Sequence, residues 1–334
     1  MSNNRPFVSI IILNWNGGKR VKDCVKSILK SNYSNLEIII SDNKSTDGSD
    51  SILAKQYPFI KLVKNKENLG YSKGNNVAVP ETKGDLIIFS NNDVTIHPNA
   101  LAKLSDVFKN PRVGVATGTI CDPNSFVIQN AGLWIDLSGN ILPNLAFTNV
   151  RQFKNRKDKI IDVHAVQGAF LAIRKSVLEQ IGLFDENLWA FYEDIDICER
   201  VKKAGYRVVI VLDSIIWHDR CSSWKRTFNL QLKKAVLKEK GRIYFTVKHF
   251  GFIGFIKSIW HDFRFWINQL TRFLLGRTET QNRAKAFNNS QSMSHGKVSL
   301  GQLIILTLFS KFIAFVSLPQ IFKIAKESWN PLLS

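Results

Sequence analysis

Four short runs of apolar, largely β-branched residues, each ending in a cluster of Asn and Asp, limit this chain to few folds. The runs are VSIIILN (8–14), LEIIIS (36–41), IKLVKN (60–65) and DLIIFS (85–90). Between the first two, apolar residues recur at Val21, Val25, Ile28 and Leu29, which is helical spacing, and 47–56, 71–80 and 97–109 read as helices too. Continuous apolar strands separated by helices predict an α/β fold with a mostly parallel central sheet flanked by helices on both faces. Such sheets bind ligands at the carboxyl ends of their strands. The polar clusters fall there: Asn14-Trp15-Asn16, Asp42-Asn43, Asn65 to Asn68, and Asn91-Asn92-Asp93. Asn and Asp also serve as turn and cap residues, so any one cluster has a purely structural alternative. Four together predict a binding site.

Several longer motifs follow in order. They are SIIILNWNG (9–17), IIISDNKSTDGS (38–49), ENLGYSKGNN (67–76), FSNNDV (89–94), VQGAFLAIR (166–174), GLFDENLWAFYEDIDICERVKKAGYRV (182–208) and IIWHD (215–219). The ordered set resembles the family 2 glycosyltransferases of the GT-A fold, in particular the rhamnosyltransferase-like branch that elongates lipid-linked cell-surface glycans. The resemblance runs from about Val8 to Ser223. It implies an inverting transfer of one sugar from a nucleotide-diphosphate-sugar donor to a glycan acceptor, expected to be polyprenyl-linked.

The same resemblance assigns roles to individual residues. Asn14, Trp15, Asn16 and Asp42 fall to the nucleotide, with Asp42 accepting from a pyrimidine N–H and Trp15 offering a ring face to the base or anchoring its loop. Asp47 reads as a cap. Asn68, Gly70 and Lys73 would face the donor, glycine allowing close backbone approach and the helix start favouring an anion; a solvated Lys73 is the alternative. Asn91-Asn92-Asp93 stands where the family carries Asp-x-Asp, so Asp93 keeps the metal-ligand position and Asn91 lacks the first charge. Oxygen ligands there suit Mg²⁺ or Mn²⁺. His218 is either a further ligand or a structural histidine. Glu193, Asp194 and Asp196 put three carboxylates within four residues, which repel unless something stabilises them. Asp194 would be the base that takes the acceptor proton, with Glu193 orienting or binding the acceptor beside it; capping of the helix 193–204 is the other reading. Gly168 and Ala169 would leave room for the donor sugar, and Trp189 and Tyr192 either stack on a sugar or pack in the core.

Charge divides the chain. Of 46 Lys and Arg against 27 Asp and Glu, residues 1–225 hold 29 and 23, while residues 226–334 hold 17 and 4. The net charge of +19 therefore belongs mostly to the tail. No base-reading motif accompanies it, which argues against a nucleic-acid partner. From Phe252 to Leu275 apolar residues, Trp260 and Trp266 among them, follow a 3.6-residue stripe, with Lys257, His261, Arg264, Asn268 and Arg272 opposite. Such a helix suits an anionic membrane surface; a helix packed on protein is the alternative. Leu303–Leu318 is apolar but short for a span and contains Lys311, so an in-plane or re-entrant segment is expected, after a polar linker at 277–297. Gln269-Leu270-Thr271-Arg272-Phe273 only superficially resembles the Gln-x-x-Arg-Trp signature of processive synthases.

Two domains are thus expected: a GT-A catalytic domain at 1–225 and a basic, helical, membrane-associating region at 226–334. Four scattered cysteines and a short N-terminal apolar run with no cleavage site suit a protein at the cytoplasmic face of the cell membrane, peripherally attached. A catalytically silent membrane-bound subunit of a glycan assembly complex is the alternative, supported only by Asn91.

Overall fold

A computed structural model describes residues 5–123, 125–153, 155–219, 228–274, 311 and 318–321. The chain forms two compact units, one of Met1–Ile135 and Ile141–Ser223, the other of Asp136–Asn140 and Trp224–Ser334.

The first unit is built on β1 (Val8–Asn14), α1 (Gly18–Leu29), β2 (Leu36–Asp42), α2 (Ser49–Gln56), β3 (Lys61–Lys64), α3 (Gly70–Asn76) and β4 (Leu86–Asn91). β3, β2, β1 and β4 lie side by side and parallel. The triplets Ile10–Ile12 and Ile38–Ile40 are almost wholly buried, because helices cover both faces of this part of the sheet. α1 buries Val21, Cys24, Val25 and Ile28 against it and turns its Lys residues outward.

Beyond β4 the sheet becomes mixed. β5 (Val94–Ile96), α4 (Ala100–Asp106), β6 (Val113–Cys121), β7 (Ile128–Asn130) and the hairpin β8 (Leu133–Ile135)–β9 (Ile141–Pro143) come first. β10 (Ile160–Asp162), β11 (Phe170–Arg174), α5 (Lys175–Ile181), α6 (Glu193–Lys203) and β12 (Arg207–His218) complete the unit. β11 inserts antiparallel between β4 and β6, while β12 runs parallel to β6. The sheet order is β10-β12-β6-β11-β4-β1-β2-β3. The antiparallel β11 departs from the expected parallel arrangement. It carries the 168–169 turn to the carboxyl end of β4, opposite Asn91.

The second unit contains α7 (Phe228–Leu274), which is two helices broken at Gly251. Gly251 has φ 61° and ψ −148°, a backbone that side-chain-bearing residues rarely adopt. Arg242 reaches Ser258 and Asp262, and Thr246 packs on Gly254, so the two halves fold back on each other about the break. Buried Arg242 pairs with Glu239 and Asp262, and Lys311 pairs with the same two carboxylates, a balanced cluster of two charges of each sign. Arg242 also donates to the Ser138 carbonyl at 3.0 Å within the Asp136–Asn140 turn of this unit. The second half leaves Phe252, Ile253, Ile256, Ile259, Trp260, Phe263 and Ile267 exposed. At about 100° per residue these form a stripe about 120° wide, with exposed Lys257 and Arg264 along one border. Among the described residues no helix is long and apolar enough to cross a membrane. The expected linker at 277–297, nearly all of the 303–318 stretch, and the side chains of Trp266, Gln269 and Arg272 lie outside the described residues.

Candidate active site

Residues from the ends of β1, β2 and β4 meet through their side chains. Asn14, fully buried, donates to Asp42 Oδ1 at 2.8 Å and to Ser49 Oγ at 3.0 Å, and its own amide oxygen accepts from Asn92 at 3.1 Å. Asp42 also accepts from the Ser45 N–H at 2.9 Å and the Ser45 hydroxyl at 2.7 Å. A carboxylate has about four acceptor positions, so about one remains for a ligand. Trp15 is 40% exposed between these anchored neighbours. Asn16 adopts φ 51°, and its amide oxygen accepts the Thr46 N–H at 2.8 Å, so it shapes the loop. Asp47 does the same, accepting from the N–H groups of Ser49 and Gly18.

The loop into α3 is likewise self-satisfied. Asn68 accepts the Gly70 N–H at 3.0 Å, and Asn43 donates to Asn68 and to the Gly70 carbonyl. Gly70 has φ +79°, and a Cβ there would lie 2.5 Å from the Trp189 carbonyl oxygen and 2.6 Å from its indole nitrogen. The glycine is therefore needed for the approach of Trp189, a constraint besides any ligand. Trp189 is partly exposed, whereas Tyr192 is buried. Lys73 is half exposed and 4.0 Å from Glu186, a loose surface pair.

At the end of β4 the buried side chains of Asp93 and His218 approach to 3.3 Å, and the Asn91 amide nitrogen lies 3.4 Å from the same His218 Nε2. β5 pairs with the end of β12, Val94 opposite His218, and this sets the two side chains together. Two donors at about 2.1 Å from one cation, at right angles, stand about 3 Å apart. The Asp93–His218 spacing thus fits a shared divalent ion, and the imidazole favours Mn²⁺ over an all-oxygen Mg²⁺ site. His218 Nδ1 is buried without a hydrogen-bond partner among the described residues. Among those residues no three His, Cys, Asp or Glu side chains converge on one point.

The three carboxylates of α6 separate into two kinds. Asp196 is fully buried and paired with Arg200 at 2.9 Å, one helical turn on, which makes it structural. Asp194 accepts the Gly168 N–H at 2.8 Å and the Ile195 N–H at 2.9 Å. Burial raises its carboxyl above the ordinary value, and those N–H groups oppose the rise. Glu193 is buried with Oε2 unpartnered among the described residues. Burial, then the adjacent Asp194 charge, push its carboxyl well above the usual range. The two environments differ: Asp194 accepts two backbone N–H groups, whereas one oxygen of Glu193 has no such donor among the described residues. Just before them, Phe191 and Tyr192 both have φ 71°, a strained pair for non-glycine residues.

Gly168 and Ala169 lie beside this pair, with their space already filled. A Cβ on Gly168 would meet the Tyr71 hydroxyl at 2.9 Å and Asp194 Cβ at 3.2 Å, and the Ala169 methyl belongs to the hydrophobic core. Their small size is thus explained by packing, in place of the expected room for a sugar. Sequence reasoning passed over Tyr71, whose hydroxyl bonds the Gly168 carbonyl at 2.6 Å across 97 residues. A contact that distant leaves no local pattern.

The strand ends of the sheet thus gather an anchored aspartate, a carboxylate–imidazole pair and an acid pair at a helix start. The chain belongs to glycosyl transferase family 2, whose family model matches residues 9–182. It is similar to the N-acetylglucosaminyl-diphospho-decaprenol L-rhamnosyltransferase of Mycobacterium tuberculosis, 25% identical over 237 residues that cover 65% of this chain and 77% of that protein. Glycosyltransferase AglE of Haloferax volcanii is 24% identical, over 73% of this chain and 75% of its own. The mannosyltransferase PcManGT of Pyrobaculum calidifontis, solved with GDP-Man and Mn²⁺, shares the fold with a TM-score of 0.59 at 16% identity, covering 94% of this chain and 87% of its own. GalNAc-T7, solved with UDP, GalNAc and Mn²⁺, gives a TM-score of 0.57 at 17% identity over 74% of this chain and 52% of that one.

Proposed function

We propose that this protein is an inverting glycosyltransferase that moves one sugar from a nucleotide-diphosphate-sugar to a polyprenyl-linked glycan at the cytoplasmic face of the membrane. The observation that carries the reading is the acid pair at the start of α6, with Asp194 held by two backbone N–H groups beside a Glu193 whose carboxyl burial pushes well up. Asp194 takes the proton of the acceptor hydroxyl as its oxygen bonds to the anomeric carbon and the bond to the diphosphate oxygen breaks. Burial raises this carboxyl, and a raised carboxyl is a stronger base. Glu193 holds an acceptor hydroxyl through the oxygen that has no partner among the described residues. Trp15 stacks on the base, Asp42 accepts from it with its remaining lone pair, and Lys73 neutralises diphosphate charge. Asp93 and His218 would hold Mn²⁺ or Mg²⁺, which when bound supplies charge stabilisation for the departing diphosphate.

The similarity to a rhamnosyltransferase named for a diphospho-decaprenol acceptor supports a lipid-linked acceptor and a deoxyhexose donor. Residues 1–225 form the catalytic domain and residues 226–334 attach it peripherally to anionic lipid, through the exposed apolar stripe and its basic border. The test is Asp194→Asn, assayed with Mn²⁺ and a panel of nucleotide-sugars for transfer and for donor binding. Transfer is expected to fall by at least about a thousandfold with donor affinity retained. Turnover near that of the unmodified protein would overturn the assignment.

A further inference from the structure

Two backbone residues join the three parts of the site. The Gly168 N–H donates to Asp194, the Gly168 carbonyl accepts from the Tyr71 hydroxyl at 2.6 Å, and the Ala169 carbonyl accepts the Asn91 N–H at 2.9 Å. One turn thereby connects α6, the α3 loop and the end of β4. Two of these ties use side chains, those of Asp194 and Tyr71, and the Tyr71 tie can be removed without touching the proposed base. Tyr71 is itself fixed. Its N–H donates to the Trp189 carbonyl at 2.7 Å, and its ring meets Phe184 edge-on at 5.6 Å. Phe184 in turn packs on the core residue Phe89 at 4.7 Å.

We infer that Tyr71 is a positioning residue for Asp194, acting through Gly168. Its hydroxyl restrains the glycine whose N–H orients the carboxylate and stabilises its charge. Gly168 is wedged between the two side chains, since an added Cβ would lie 2.9 Å from the Tyr71 oxygen and 3.2 Å from Asp194 Cβ. Without the hydroxyl, residue 168 gains a degree of freedom and its hydrogen bond to Asp194 weakens. The titratable groups that face Asp194 are Glu193 and Cys198 on its own helix and Tyr71 from α3, with Asp196 acting on Glu193. Under neutral conditions Tyr71 stays protonated, because burial and both carboxylates raise its phenol further. It therefore acts as a fixed donor.

The inference rests on Asp194 as the base, and the experiment separates the two. Tyr71→Phe keeps the ring and its contact with Phe184 and removes one oxygen. Its kcat is expected to fall about fivefold to tenfold, with donor and acceptor KM within about twofold. The acid limb of its kcat profile is expected to move up by about half a pH unit, because the ionised form of Asp194 loses support. Gly168→Ala forces the same two groups apart and is expected to move the limb the same way, which covers the case in which Tyr71→Phe fails to fold. An acid limb superimposed on that of the unmodified protein, whatever happens to kcat, would overturn the positioning role. A raised donor KM with an unmoved limb would assign Tyr71 to the donor loop instead. An active Asp194→Asn enzyme would remove the underlying reading, whereas an inactive one with unshifted Tyr71→Phe would remove only this inference.

Discussion

Replacing Arg200 by Ala tests whether α6 is held by a buried ion pair that has no part in the chemistry. The pair is nearly sealed from solvent, with side-chain exposures of 18% for Arg200 and 0% for Asp196. Arg200 donates from Nε to Asp196 at 2.9 Å, from Nη1 to the carbonyls of Ile181 and Gly182 at 2.7 and 2.9 Å, and from Nη2 to Leu183 at 2.8 Å. Those carbonyls lie at and just beyond the C-terminal end of α5, where a cation is favoured by the helix dipole. Truncation leaves Asp196 as a buried charge without this partner and three carbonyls without their donor. Breaking a buried pair from one side costs about 3–5 kcal/mol. For a chain of this size the midpoint of thermal unfolding should drop on the order of 10 °C. Urea denaturation followed by circular dichroism measures the loss, and kcat per folded molecule, taken well below the midpoint, should stay within about twofold. Arg200→Lys should recover little, since an ammonium cannot reproduce the fork. A loss below about 1 kcal/mol would refute the reasoning, because it would mean that Asp196 is screened by solvent.

Glu193→Gln addresses the acid with the raised carboxyl. With its carboxyl held well above the ordinary value, the folded protein binds more protons than the unfolded chain above about pH 4.3, so stability falls as pH rises through that window. The amide cannot ionise, so the variant should match the unmodified protein near pH 4 and unfold at a higher temperature at pH 7 and above, while losing transfer activity; equal midpoints at pH 7 would contradict this. On the exposed stripe, Trp260→Gln combined with Phe263→Gln should weaken co-sedimentation with phosphatidylglycerol vesicles by on the order of a hundredfold. Undiminished binding would show that this face does not meet lipid.

The runs of Ile and Val made β1, β2 and β4 legible, because a strand buried on both faces has little choice of residue. The same apolar character concealed the direction of β11, since burial says nothing about whether a neighbour runs parallel. Three-residue strands such as β5 and β7 are too short to establish a period. At the site, the spacing of acids and glycines identified the right segments without saying what each atom touches. The Asp196–Arg200 pair was legible in principle as a four-residue spacing on a helix. Gly168 stood out as a small residue, but the tyrosine that packs on it is distant in sequence. In the tail, apolar spacing located the helix from 252 onward. It gave no sign that the preceding helix, from Phe228, folds back at Gly251 to bury Arg242 against Asp262.

The left-handed pair Phe191–Tyr192 stands directly before α6 and limits where that helix can begin. Were those two residues helical, α6 would start earlier and the acids would lie inside the helix instead of at its first turn. Each non-glycine residue in this conformation costs about 1–2 kcal/mol. The Asp196 N–H, bonded to the Tyr192 carbonyl at 2.8 Å, begins the helical ladder at that point. The strain thus works as a stop, which leaves Glu193 and Asp194 as the first two residues of the helix.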